Sequence, residues 1–133
     1  MPNDSRPPMA MASGRIAFGL AMMVAPRLAG RAFLGAEVER GSVRFLCRIF
    51  GIRDLAVGVV LLLAAQRGDD VRPALWLGVA CDVFDAKAAS VAEGGLTRGG
   101  RYLVTGAGLS SAAAGAALAL RRGPGAGGPA AEG

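Results

Sequence analysis

The sequence contains no histidine, one lysine and few other charged residues. Of its 133 residues, 19% are charged and 53% are hydrophobic, whereas an ordinary soluble domain carries about 25% charged residues. The chain therefore has few charged residues with which to cover the surface of a domain surrounded by water. The missing histidines exclude the commonest general base and the commonest zinc ligand. Acid–base chemistry would have to use carboxylates, Lys87, Tyr102 or a cysteine.

Aromatic side chains and clustered cations are also scarce. Aromatic residues make up 5% of the chain, which leaves no evident platform on which bases could stack. The formal net charge is +5, but the arginines occur mostly singly, at the ends of apolar stretches. Anchoring at a membrane surface explains this placement better than phosphate binding does. We therefore predict no nucleic-acid partner.

The sequence offers little for binding a metal ion. Cys47 and Cys81 lie in apolar sequence without CxxC spacing, so we expect both to behave as small hydrophobic side chains. The pair Asp82 and Asp85 supplies only two carboxylates, fewer oxygen ligands than a hard cation needs. We predict no metal site and no cofactor.

The chain has room for one domain between two polar ends. Residues 1–8 are rich in polar residues and proline, and residues 121–133 consist largely of glycine, proline and alanine. We predict disordered tails over residues 1–8 and 121–133, with one membrane domain over residues 9–120.

Four apolar stretches lie within this domain. A spanning helix needs about 20 mainly apolar residues, and three of the stretches reach that length. The first is shorter and ends at Pro26, after which the chain could continue as a kinked or interfacial turn. We predict an all-α, four-helix transmembrane bundle, multi-pass in the cell membrane, with the lipid bilayer as its partner. The stretches cover residues 10–25, 43–66, 72–93 and 102–120.

A soluble, alanine-rich four-helix bundle is the alternative interpretation. Each of its helices should show a polar face with oppositely charged pairs four residues apart. The stretch from Tyr102 to Leu120 contains no charged residue and therefore has no such face. The arginines divide evenly between the two predicted membrane sides, so the orientation in the membrane is not determined.

Six charged residues fall inside the second and third stretches, away from the ends of each stretch. Their formal charges sum to zero, and ionised groups in hydrocarbon normally point inward and neutralise one another. If the two helices are antiparallel, depth along the axis favours the pairs Arg53–Asp82 and Arg48–Asp85. Lys87 and Asp54 remain as a weaker pair. The six residues are Arg48, Arg53 and Asp54 in the second stretch, and Asp82, Asp85 and Lys87 in the third.

Two interpretations of this cluster stay open. In the first it lines a polar pocket, where Asp54, Asp82 and Asp85 are candidate catalytic or proton-carrying groups. The basic residues would then be candidate binding groups. In the second the six charges form a closed network that only fixes the register of the helices. The candidate binding residues are Arg48, Arg53 and Lys87.

Small residues recur every four positions in the fourth stretch, at Ser111, Gly115 and Ala119. Small side chains allow another helix to approach closely. This surface could pack within the bundle or form a homodimer, and we retain both possibilities.

The segment from Arg44 to Gly58, together with Asp82 and Asp85, resembles an uncharacterised family of small bacterial four-helix integral membrane proteins, a domain of unknown function. The points of similarity are Arg48, Gly51, Arg53 and Asp54 with the paired aspartates. The resemblance extends over residues 15–120. It implies a four-helix membrane architecture and no particular activity.

The sequence thus predicts a noncatalytic accessory or scaffold component of a membrane. Two alternatives remain. One is an intramembrane enzyme, such as a cyclase, isomerase or hydrolase, acting on a lipophilic small molecule. The other is a proton-coupled or ion-coupled transporter.

Overall fold

A computed structural model describes residues 5–122. Helices include 88% of these residues, and none of them lies in a β-strand. The predicted all-α class is therefore confirmed. Residues 1–4, and all but the first two residues of the predicted C-terminal tail, lie outside the described part. The elements in chain order are α1 (Arg6–Val24), α2 (Pro26–Leu34), a short 3₁₀ helix (Gly35–Glu39), α3 (Gly41–Arg67), α4 (Arg72–Val91) and α5 (Arg98–Arg121).

The N-terminal prolines begin the first helix. Helix α1 starts at Arg6, so residues 6–8 of the predicted tail are helical, and Pro8 is buried. The first turn of a helix has no internal partners for its backbone N–H groups, so proline is tolerated there. The boundary between tail and domain consequently lies earlier than position 9.

A sharp bend follows α1. Pro26 has no backbone N–H and cannot continue the hydrogen-bonding pattern of α1. Helix α1 ends at Val24, and the α2 segment leaves it at an angle of 102°. The kink predicted at Pro26 is confirmed.

The helices associate as two pairs. Helix α1 packs along α3 and helix α4 packs along α5, whereas contacts between α3 and α4 are few. All four helices meet in an apolar cluster at one end of the bundle. Towards the other end, α2 is tied to α5 by the backbone N–H of Thr97, which donates to the carbonyl of Phe33 at 3.2 Å. The apolar cluster comprises Ala12, Leu61, Ala65, Val71, Ala74, Leu75 and Ala119.

Glycines allow the backbones of α1 and α3 to touch. A Cβ atom on Gly19 would lie 2.6 Å from the carbonyl oxygen of Gly51, and one on Gly51 would lie 2.7 Å from the carbonyl oxygen of Gly19. Gly58 repeats this approach, with the carbonyl oxygen of Ala12 3.0 Å from its Cβ position. Close packing of small residues is typical of helix interfaces in membranes.

The small residues of α5 pack against α4. A Cβ atom on Gly108 would lie 2.8 Å from the carbonyl oxygen of Asp82. Gly115 is buried beside Val79, and Ala119 belongs to the apolar cluster. The structure thus shows that the small-residue surface of α5 packs within the chain. A homodimer through Ser111, Gly115 and Ala119 stays a prediction.

Helix α5 is the described helix that is long and apolar enough to cross a membrane by itself. Helix α1 and the bent segment after it would qualify as a second span if the two were counted together. Helices α3 and α4 carry charged residues within their apolar sequence. Because core helices of soluble proteins pass the same test, one or two such helices are weak evidence for a membrane protein. Four crossings therefore stay a prediction.

Candidate functional site

Arg15 of α1 lies at the centre of a buried ion-pair network. Its side chain is 8% exposed and donates to a carboxylate on each of two other helices. One guanidinium nitrogen, Nη1, is 3.1 Å from Oδ1 of Asp54 on α3, and Nη2 donates to Oδ2 of Asp82 on α4. Both aspartates are buried. A single arginine thus joins three helices.

Glycine provides the space that this arginine occupies. A Cβ atom on Gly78 would lie 3.0 Å from Nη2 of Arg15, and one on Gly58 would lie 3.1 Å from the Cβ of Arg15. Gly78 precedes Asp82 by four residues on α4, so both face the same neighbour. Helix α4 therefore presents a gap and a carboxylate to the same guanidinium.

A second ion pair lies beside the first. Nη1 and Nη2 of Arg53 lie 2.9 and 2.5 Å from Oδ1 and Oδ2 of Asp85, so the ion pair is bidentate. Nη2 of Arg53 is also 3.6 Å from Oδ1 of Asp54. The guanidinium lies 5.0 Å from the centre of the Phe50 ring, within the range of a cation–π contact. Arg53 and Asp85 are partly exposed.

The ion pairs predicted from the sequence have the wrong partners. Arg53 binds Asp85 instead of Asp82, and Asp82 binds Arg15. Arg48 does not bind Asp85: it is exposed, and its Nε donates to the carbonyl of Met23 at 3.4 Å. Five residues separate Arg48 from Arg53, which turns their side chains about 140° apart around the helix.

Lys87 is exposed and lies outside the network, so the predicted pair with Asp54 is also wrong. Lys87 follows Asp85 by two residues, a rotation of about 200° around α4, so the two side chains lie on nearly opposite sides of the helix. The carboxylate of Asp54 is bound by Arg15 and lies close to Arg53.

Arg15 was missed as a member of the cluster because its position looked like an interruption of the first apolar stretch. The residues on the same face of α1 as Arg15 indicated its direction. Ala12 and Gly19 lie three and four residues away on the same face of α1, and both are buried. An arginine among small residues on one helix face points towards a neighbouring helix.

The network contains two guanidinium groups and three carboxylates. Its formal charge is therefore −1, whereas the predicted cluster was neutral. Each carboxylate accepts a hydrogen bond from an arginine on another helix. Within residues 5–122, no group of three histidine, cysteine or acidic side chains is placed to hold a metal ion. The network consequently joins α1, α3 and α4.

No family model matches the sequence, and no curated protein or solved structure is significantly similar to it. The resemblance to small four-helix membrane proteins stays a prediction.

Proposed function

We propose that the chain is a noncatalytic integral membrane protein that crosses the bilayer with α1, α3, α4 and α5. These helices contain 19, 27, 20 and 24 residues. At about 1.5 Å per residue α3, α4 and α5 match or exceed the hydrocarbon thickness of about 30 Å, and α1 is slightly shorter than it. The role that fits best is that of an accessory or scaffold component.

One observation carries this proposal: three charged side chains are buried at the centre of the bundle, while many large apolar side chains are exposed. Arg15, Asp54 and Asp82 are buried. Water-soluble proteins show the reverse distribution and rarely expose large continuous apolar patches. Hydrocarbon around the helices would favour the observed arrangement. The exposed apolar residues include Phe45, Leu46, Ile49, Phe50 and Ile52 on α3, and Leu77, Val83 and Phe84 on α4.

The ion-pair network supports a structural role for the charges. The α1–α3 pair has few contacts with α4 along its length, and the bonds from Arg15 to Asp82 and from Arg53 to Asp85 connect the two pairs. In a medium of low dielectric constant such bonds are stronger than in water. The network would therefore fix how the two helix pairs sit in the bilayer.

The surplus carboxylate favours a second candidate function. A network with one excess negative charge inside a membrane would attract a proton or a small cation. This supports the proton-coupled or ion-coupled transporter as the alternative. The three carboxylates offer no comparable support to the enzyme alternative, because arginine binds each of them.

The excess charge leads to unequal effects of two substitutions that break the same ion pair. Arg53→Gln leaves one guanidinium facing three carboxylates, whereas Asp85→Asn leaves two facing two. We expect Arg53→Gln to lower the free energy of unfolding by about 2–4 kcal/mol and Asp85→Asn by about half as much. Thermal unfolding in detergent, followed by circular dichroism, measures both. Equal losses, or a larger loss for Asp85→Asn, would contradict the structural role.

Flux measurements on the unaltered protein and on Asp54→Asn separate the scaffold from the transporter. Purified protein in sealed vesicles should give no pH-driven or ion-driven flux beyond that of empty vesicles. A flux that disappears in Asp54→Asn, while the variant still resists extraction from membranes by alkaline carbonate, would establish the transporter and refute the scaffold.

A further inference from the structure

A groove opens where α1 turns into α2 and faces the first turns of α3. Its volume is about 250 Å³, and three of its lining residues are arginines: Arg27, Arg44 and Arg48. We call it the arginine groove. Arg44 and Arg48 are four residues apart on α3 and therefore share a face. The structure brings Arg27 of α2 to that face.

Positive charge in the arginine groove exceeds the negative charge beside it. Glu39 supplies a carboxylate, 3.1 Å from Nε of Arg27, and both side chains are more than half exposed. Arg44 and Arg48 donate to the backbone carbonyls of Glu39 and Met23. These carbonyls carry no formal charge, so two guanidinium charges are left for an anionic ligand.

The remaining walls of the groove are apolar and open. Val24 and Leu28 line it and are 80% and 81% exposed. A free inorganic anion would gain nothing from such walls. A ligand with a charged head and a hydrocarbon part would contact both the arginines and the apolar side chains.

We propose that the arginine groove binds the headgroup of an anionic phospholipid. The inference rests on the proposed function, because a crossing by α1 ends at Val24 and places the groove at the depth of the lipid headgroups. The 102° bend then directs α2 along the membrane surface. Guanidinium groups bind phosphate oxygens through paired hydrogen bonds, and basic pockets beside membrane helices suit such headgroups. The glycerol and upper acyl carbons contact Val24 and Leu28.

Titration of the full chain in detergent tests this assignment. The probes are short-chain phosphatidylglycerol, phosphatidylcholine of the same chain length, and inorganic phosphate, and the readout is the midpoint of thermal unfolding. We expect phosphatidylglycerol to raise the midpoint at lower concentration than the other two. In Arg44→Gln/Arg48→Gln, the phosphatidylglycerol concentration needed should increase about tenfold or more.

The control is Arg67→Gln/Arg121→Gln, which removes the same charge from the exposed ends of α3 and α5. It should bind phosphatidylglycerol like the unaltered protein. Equal effects of phosphatidylglycerol and phosphatidylcholine, equal losses in both double variants, or full stabilisation by inorganic phosphate would each overturn the lipid site. These results remain distinct from failure of the proposed function, in which the chain would be extracted from membranes by alkaline carbonate.

Discussion

Arg15→Met is expected to abolish most of the folded protein recovered in detergent. The substitution leaves the carboxylates of Asp54 and Asp82 buried without the guanidinium that joins them. Removing one partner of a buried ion pair costs about 3–5 kcal/mol. Here Asp82 loses its partner, and Asp54 keeps only the guanidinium of Arg53 at 3.6 Å. Because the whole stability of a domain is about 5–15 kcal/mol, the loss is a large part of it. Size-exclusion profiles and thermal unfolding measure the effect.

Arg6→Met is the matched control, since Arg6 is an exposed arginine on the same helix. It should change stability by no more than about 0.5 kcal/mol. Adding Asp54→Asn and Asp82→Asn to Arg15→Met should restore much of the folded protein, because the unpaired charges are removed with the arginine. Wild-type stability of Arg15→Met alone would refute the role given to this network.

Gly19→Leu is expected to separate α1 from α3. Its Cβ atom would lie 2.6 Å from the carbonyl oxygen of Gly51 and 2.7 Å from the backbone nitrogen of Leu55, so no side-chain rotation relieves the clash. Overpacking usually costs 1–3 kcal/mol, and we expect about 3 kcal/mol here because backbone must move. Thermal unfolding in the same detergent measures the loss.

Gly14→Leu tests whether this effect depends on contact between the helices. Gly14 lies on the same helix, and no atom of another described helix is within 4 Å of its Cβ position. Leucine favours helices more than glycine does, so the variant should be as stable as the unaltered protein or slightly more stable. Similar destabilisation by both leucines would contradict the close approach of α1 and α3.

The positions of the helices could be predicted from the sequence because they depend on continuous local patterns. The apolar stretches at residues 43–66 and 72–93 correspond closely to α3 and α4. Pro26 marked the bend because proline lacks the N–H that a continuing helix needs. The start of α1 could not be predicted from the sequence, because Pro7 and Pro8 are compatible with either a disordered tail or a first helical turn.

The pairing of the charges could be predicted only in part. Asp54, Asp82, Asp85 and Arg53 do belong to one network, and depth along the helix axis brought them together. Depth does not show which helices are neighbours, and that depends on close contacts such as Gly19 against Gly51. Because the contact between α1 and α3 was not predicted, there was no reason in the sequence to pair Arg15 with Asp54. The sequence showed that Arg48 and Arg53 lie about 140° apart on α3 and could not share one face, but it did not show which of them faces α4.

The proposed membrane location places hydrocarbon around the outward faces of these helices, and the chain's single tryptophan tests this directly. Trp76 is 42% exposed near the start of α4, and Phe84 is 75% exposed near the middle of the same helix. At about 1.5 Å per residue, they lie about 6 and 18 Å from the beginning of α4. The variant Trp76→Phe/Phe84→Trp moves the fluorophore from one depth to the other.

The decisive measurement is quenching of tryptophan fluorescence in vesicles of brominated phosphatidylcholine, with bromine placed either near the glycerol or near the end of the acyl chain. We expect Trp76 to be quenched more by the shallow bromines and the tryptophan at position 84 to be quenched more by the deep ones. Strong quenching of both by aqueous iodide, with no effect of either bromolipid, would show that water surrounds these faces and would contradict the proposed membrane location.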